Sequence, residues 1–223
     1  MSMKRTLSVV FALVSACLAL ASAARADSWA LPEPQKYYSP NKAYYLEVFP
    51  RKLESQLKYF EDKTEGREPA GSAKGLKDNY CKGAFYKRDG RGVYEKIWEG
   101  RLVNDVAPVG ALVSDRGEHF VTFDNWHALG YGDDVVVIYD RRGNVVRKMS
   151  LEDIYGKNPT VRLPRSVSSI YWGTGDHIEE ETQTLVLKVV AKWSGSFEDE
   201  PETKFVRVDL KTGAVAGDRP VAE

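Results

Sequence analysis

From Lys42 onward the chain is patterned in twos, and that alternation restricts it to β-structure more firmly than any motif it carries. Successive side chains of a strand point to opposite faces, so alternating apolar and polar residues lay one face on a core and the other in water. The longest such stretch is 183–193, where Leu185, Leu187, Val189, Ala191 and Trp193 share one parity and Lys188 and Lys192 take the other. This predicts a strand with one buried face and wet lysines. Residues 45–49 (stopped by Pro50), 119–123 and 205–210 are further strand candidates. Residues 135–139 are apolar nearly throughout, which predicts a strand covered on both faces. Residues 83–98 read as a hairpin turning at Asp89-Gly90, and Arg142-Gly143-Asn144 turns 135–139 into 145–149.

Helix signals are few. Ser150 with Asp153 three residues on forms a capping box, and Gly156 offers an exit, so 150–155 is expected to be one short helix. Leu53, Leu57 and Phe60 fall at helical spacing, which fits a short helix or an irregular strand. Gly66, Pro69, Gly71 and Gly75 then break any element and predict an exposed polar loop.

The N-terminus has the anatomy of an export leader. Lys4 and Arg5 precede an uncharged apolar run over residues 7–21, and small residues converge on Ala24-Arg25-Ala26. The run is shorter than the roughly 20 residues a membrane-spanning helix needs. Cleavage after Ala26 is expected, giving a periplasmic or secreted protein without a transmembrane anchor. An alternative is a lipoprotein held through Cys17, because Val14-Ser15-Ala16-Cys17 also fits a lipidation signal. The expected organisation is a leader (1–26), an extended N-terminal arm (27–38), a β-rich domain (39–215) and a short tail (216–223).

Removing the leader takes Lys4, Arg5 and Arg25 with it and leaves 29 basic residues against 32 acidic ones. That balance lacks the basic excess of a nucleic-acid binder. It also leaves Cys81 without an intrachain partner, so burial as a small apolar residue is expected.

Two stretches echo each other. Residues 39–46, Ser-Pro-Asn-Lys-Ala-Tyr-Tyr-Leu, overlie 114–121, Ser-Asp-Arg-Gly-Glu-His-Phe-Val; Tyr86-Lys87-Arg88-Asp89-Gly90 overlies Tyr139-Asp140-Arg141-Arg142-Gly143. A third copy is visible in residues 208–213, one residue longer. This pattern resembles the blade repeats of exported β-propeller proteins, which begin with Ser-Pro-Asp-Gly-type turns and end in charged, Gly-containing hairpins. Residues 114–150 also resemble a family of exported bacterial proteins, a likeness that carries no activity with it. The resemblance implies an all-β fold of antiparallel meanders of blade-like units, as a partial propeller or two packed sheets, with one short helix. Three units fall short of the four to eight blades of a closed ring.

The segment richest in chemistry is 124–134, containing Asp124, Asn125, Trp126, His127, Asp133 and Asp134. It is longer than a tight hairpin needs, and its carboxylates and amide suit a ligand or a Ca²⁺ ion. Its spacing matches no standard calcium loop. The alternative is a structured loop in which Asp124 and Asn125 bond local amides and Trp126 plugs a core edge.

His119, His127 and His177 offer no i, i+4 pair for zinc, no serine sits in a nucleophile elbow, and Gly173-Thr174-Gly175 lacks the rest of a phosphate loop. Acidic runs at 176–181 and 198–202 read as solvated hairpin ends. The five tryptophans, Trp29, Trp98, Trp126, Trp172 and Trp193, suit core and sheet-edge packing, with Trp126 the candidate for an exposed binding ring. These features favour an exported binding or structural module without catalysis of its own, its partner an envelope or extracellular protein or a small ligand. A hydrolase or metal-binding protein with its site on 124–134 is the alternative.

Overall fold

The computed structural model describes residues 29–69, 79–156, 163–196 and 198–216. The leader with Cys17 and Ala26, most of the polar loop after Pro69, and the last seven residues of the tail lie outside them. Among the described residues, twelve strands form three four-stranded antiparallel sheets, each a meander. The first holds β1 (Gln35–Tyr38), β2 (Tyr44–Phe49), β3 (Lys82–Arg88) and β4 (Tyr94–Arg101). The second holds β5 (Gly110–Val113), β6 (His119–Phe123), β7 (Val136–Asp140) and β8 (Val145–Met149). The third holds β9 (Gly173–Glu179), β10 (Thr184–Lys192), β11 (Glu202–Asp209) and β12 (Val215–Ala216). β1 draws the end of the N-terminal arm into the first sheet.

The sheets stack face to face, with the second in the middle. Phe120, Val137 and Tyr139 point toward Tyr44, Leu46, Val48 and Phe85 of the first sheet. Val121, Val136 and Ile138 point toward Leu185, Leu187, Val189, Val206 and Val208 of the third. β7 therefore has a core on each side, as its apolar run predicts. The first strands lie together along one edge of the stack, with β5 touching both β1 and β9.

The repeat has a physical basis in two recurring turns. Ser39 and Ser114 each accept, through Oγ, the backbone N–H of the residue that opens the second strand, Tyr44 and His119 respectively. The other turn is led by Asp89, Asp140 and Asp209. Each aspartate's Oδ1 accepts the N–H two residues on, from Arg91, Arg142 and Lys211, and its carbonyl accepts from a left-handed glycine, Gly92, Gly143 or Gly213. The third turn is one residue longer, as the sequence shows.

The overlay of 86–90 on 139–143 holds only at its start. Tyr86 and Tyr139 each follow a β-bulge, but the first sheet's hairpin arm is two residues longer beyond it. Gly92, not Gly90, therefore occupies the position of Gly143.

Other differences have identifiable causes. α1 (Gln56–Thr64) buries Tyr59 and Asp62, whereas Leu57 is 71% exposed. Its orientation is set by the Tyr59 hydroxyl, which donates to Asp105, and by Asp62, which accepts from Lys58 and Arg67. α2 (Leu151–Tyr155) carries the expected capping box. On β10, a bulge between Val190 and Lys192 breaks the alternation, so Val190 joins the core and Ala191 is only half-buried. Lys192 is exposed, but Lys188 is half-buried. The run 176–179 is not a solvated turn: it lies in β9, and Asp176 pairs with Leu187 in register. Cys81 is fully buried, and burial pushes its thiol up to about 12.

Candidate functional site

The 124–134 segment links β6 to β7 and is closed at its base by the Asp124 N–H donating to the Val135 carbonyl at 2.7 Å. Asp124 and His127 adopt left-handed backbone conformations, as do Gly130 and Gly132. The chain doubles back tightly and pins itself to 168–170: Leu129 N–H donates to Ser168, and Ile170 N–H to Leu129. A Cβ on Gly130 would lie 2.8 Å from the Ile170 Cβ and 2.9 Å from its carbonyl oxygen. With φ near +73°, that position needs glycine on both counts.

The loop's oxygens turn inward. Asp124 accepts from Gly130 N–H at 2.6 Å and from the Trp172 indole at 3.1 Å. It is buried, which lifts its pKa to about 6, and Asp134 nearby adds to the rise. Asn125 Oδ1 accepts from Asn104 Nδ2 and the Asp105 N–H. Asp134 is half-buried and raised mainly by that burial. Asp133 faces solvent and pairs with Lys148 at 2.8 Å. The segment thus gathers Asp124, Asn125 and Asp134 inside the molecule and leaves Asp133 outside.

Trp126 and His127 face a different neighbourhood. Trp126 is 6% exposed, not the free ring expected of it; its indole donates to the Ala30 carbonyl at 2.8 Å. His127 packs against Phe60, Trp29 and Trp126, with ring centroids 4.2, 5.7 and 5.6 Å away. Trp29 in turn donates to Ser168 Oγ. These rings, with Leu53 and Tyr59, form a small third core beneath the N-terminal arm.

On the outer side of this cluster lies a cavity of about 310 Å³. Trp29, Leu31, Tyr37, Pro50, Pro108 and Trp126 supply much of its wall, and Glu33 and Gln35 add polar groups. Leu31 and Val109, which also line it, are 43% and 42% exposed. It sits where the arm, the end of β2 and the approach to β5 converge. Tyr59, edge-on to Trp126, donates to Asp105, which also takes a hydrogen bond from Arg51 and an ion pair from Lys63. Asp105 resists the upward push of burial, and those partners hold its carboxyl below the usual range.

Sequence reasoning locates Trp126 and His127 but not the cavity, because its other walls come from the N-terminal arm and from Pro50 and Pro108. Two prolines in the arm, Pro32 and Pro34, signal extended chain but not what it packs on.

A second feature absent from the sequence reading is the pair Asp124 and Asp176. Asp176 is lifted to about 6 by burial, opposed by a backbone hydrogen bond from Lys188 and aided by the charge of Asp124. Its Oδ1 is buried without a hydrogen-bond partner. His119, His127 and His177 lie on three separate elements. Among the described residues, no group of three or more His, Cys, Asp or Glu side chains is placed to hold a metal ion. Set against protein families, curated proteins and solved structures, the chain matches none.

Proposed function

We propose that the protein is an exported binding module that takes an apolar or aromatic group in the cavity between the N-terminal arm and Trp126. The observation carrying this reading is the wall itself: two tryptophans, a tyrosine and prolines around about 310 Å³. That volume lies at the lower end of small-molecule sites, which are mostly apolar with a few polar groups for orientation. Glu33 and Gln35 supply the polar groups, and the rings are held rigidly because both indole N–H groups already have partners. Aromatic surface fixed in advance binds at low entropic cost. Export rests on the charged, apolar and small-residue order of residues 1–26.

The test uses an anilinonaphthalene dye as probe, read by energy transfer from tryptophan. Saturable one-to-one binding is expected, weakened roughly tenfold or more in Val109→Asp and Leu31→Asp. Absence of saturable binding, or binding that neither variant changes, overturns the reading. Mass determination of the protein recovered from an exporting host is expected to place its N-terminus at Asp27; a lipid-modified Cys17 would replace release by anchoring.

A further inference from the structure

The three sheets repeat not only their turns but also the way they pack on one another. Asn41 N–H of the first sheet's turn donates to Asp115 of the second, and Asp115 N–H donates to Glu180 of the third. Gly143, in the hairpin of the second sheet, presses on the Trp98 ring of the first; Gly213, in the hairpin of the third, presses on Arg147 of the second. Trp98 and Arg147 are equivalent, each standing opposite the last residue before a bulge. Each sheet therefore carries one face that receives its predecessor and one that receives its successor.

Two such faces have no sheet or helix on them among the described residues. On the first sheet, Tyr45 and Tyr86 stack with centroids 4.5 Å apart and planes 13° apart. Their counterparts by position are Phe120 and Tyr139, stacked at 4.8 Å and 14°. Phe120 is covered by the first sheet, with Phe85 at 5.2 Å and Trp98 at 5.5 Å. Among the described residues no sheet covers the Tyr45–Tyr86 stack: Tyr38, Tyr94 and the Lys36 ammonium lie against Tyr45 and leave it 6% exposed, while Tyr38 is 47% exposed. The hairpin glycine here, Gly92, meets only its own Arg88, next to an open hollow of about 340 Å³.

On the third sheet, the outward face carries Arg207, paired with Glu179, and Phe205, 54% exposed, while Val186 on the same face is buried. Leu185 pairs with Val208 as Tyr45 pairs with Tyr86, so Arg207 holds the place of Phe85, and Phe205 lies two residues back from it on the same face. Phe205 therefore stands on the face that corresponds to the one covering Phe120 in the first sheet.

We propose that two copies of the chain close into a single ring of six sheets, with the Phe205 face of each copy packed on the Tyr45–Tyr86 face of the other. The count fixes the number of copies. Rings of radially packed four-stranded sheets hold four to eight, and the only multiple of three in that range is six. A two-fold axis satisfies both open faces of both copies at once, which a closed assembly requires. The area is sufficient as well. Four strands about 4.8 Å apart and about six residues long cover roughly 400 Å². Two faces per copy then bury about 800 Å² a side, the size of a standard stable interface. Tyrosine, phenylalanine and arginine are the residues such interfaces favour.

Sedimentation equilibrium of the purified protein, from micromolar concentrations upward, tests this. The expected result is a mass of two chains that does not grow further with concentration. Phe205→Asp and Tyr38→Asp, both at exposed positions, should each give a monomer with an unchanged circular dichroism spectrum and melting curve shape. Leu57→Asp, exposed on α1, should leave the dimer intact. A monomeric wild-type protein overturns the proposal, and so does open-ended growth with concentration. A dimer broken by only one of the two face variants also overturns it, because that pattern means like faces are pairing.

Discussion

The middle sheet is held by two interfaces of different character. Toward the first sheet it presents rings: Phe120 stacks on Tyr139 and tilts against Phe85 and Trp98. Toward the third it presents aliphatic side chains, Val121, Val136 and Ile138, against Leu185, Leu187 and Val189. Both interfaces are buried, but they specify structure differently. Rings have preferred mutual geometries that add to area burial, whereas branched aliphatics pack by volume alone. The aliphatic interface also borders the two acidic side chains that burial holds near pH 6, Asp124 and Asp176. The less directional packing thus lies beside the unfavourable polar burial.

Three substitutions probe this contrast. The largest effect is expected at Phe120→Ala, about 3–5 kcal/mol by urea unfolding, against about 2–5 for Leu187→Ala on the other side. A double-mutant cycle between Phe120 and Tyr139 should show coupling of about 0.5–1.5 kcal/mol beyond area burial. Coupling near zero would mean that the rings pack by volume too.

Asp176→Asn should act in the opposite direction. The folded state holds this proton up to about pH 6, whereas the ordinary value is 3.8. Below that ordinary value the group is neutral in both states and burial of its charge costs nothing. As pH rises through 6 the folded protein must ionise a buried carboxyl, so this group's contribution falls over that window. The asparagine variant should be more stable than wild type at pH 7, by roughly 1–3 kcal/mol, and should flatten the decline between about pH 4 and 6. Melting temperatures across that window measure it; equal slopes in both proteins would remove the carboxylate from the contrast. The smallest change is expected at Asp133→Asn. Its ion pair with Lys148 is exposed, and the unfolding midpoint should shift by less than about 0.5 kcal/mol.

Much of the fold was legible because a strand writes its burial into its parity. Residues 119–123, the two-sided burial of 135–139 and the Ser150–Asp153 capping box follow from local rules alone. The Ser39/Ser114 likeness reflects a shared hydrogen-bonded turn. Where local rules failed, a distant partner had intervened. Leu57 faces water because Tyr59 reaches Asp105, 46 residues away, and Asp176 sits in a sheet interface because β9 pairs with β10.

The candidate site divides in the same way. The sequence brings Trp126 and His127 together on one loop, and glycine at 130 marks a close approach. It does not show that Asp124 closes over Trp172, or that Trp29 and the arm return to wall a cavity.

By itself, then, the sequence determined strand content, turn chemistry and the repeat, because periodicity and turn residues act over a few positions. Only the tertiary structure decided which face of each sheet is covered, where the arm docks, and that Tyr38 and Phe205 are left exposed on the two outer faces. Those outcomes depend on contacts between residues far apart in the chain, and no local pattern encodes which surfaces will meet.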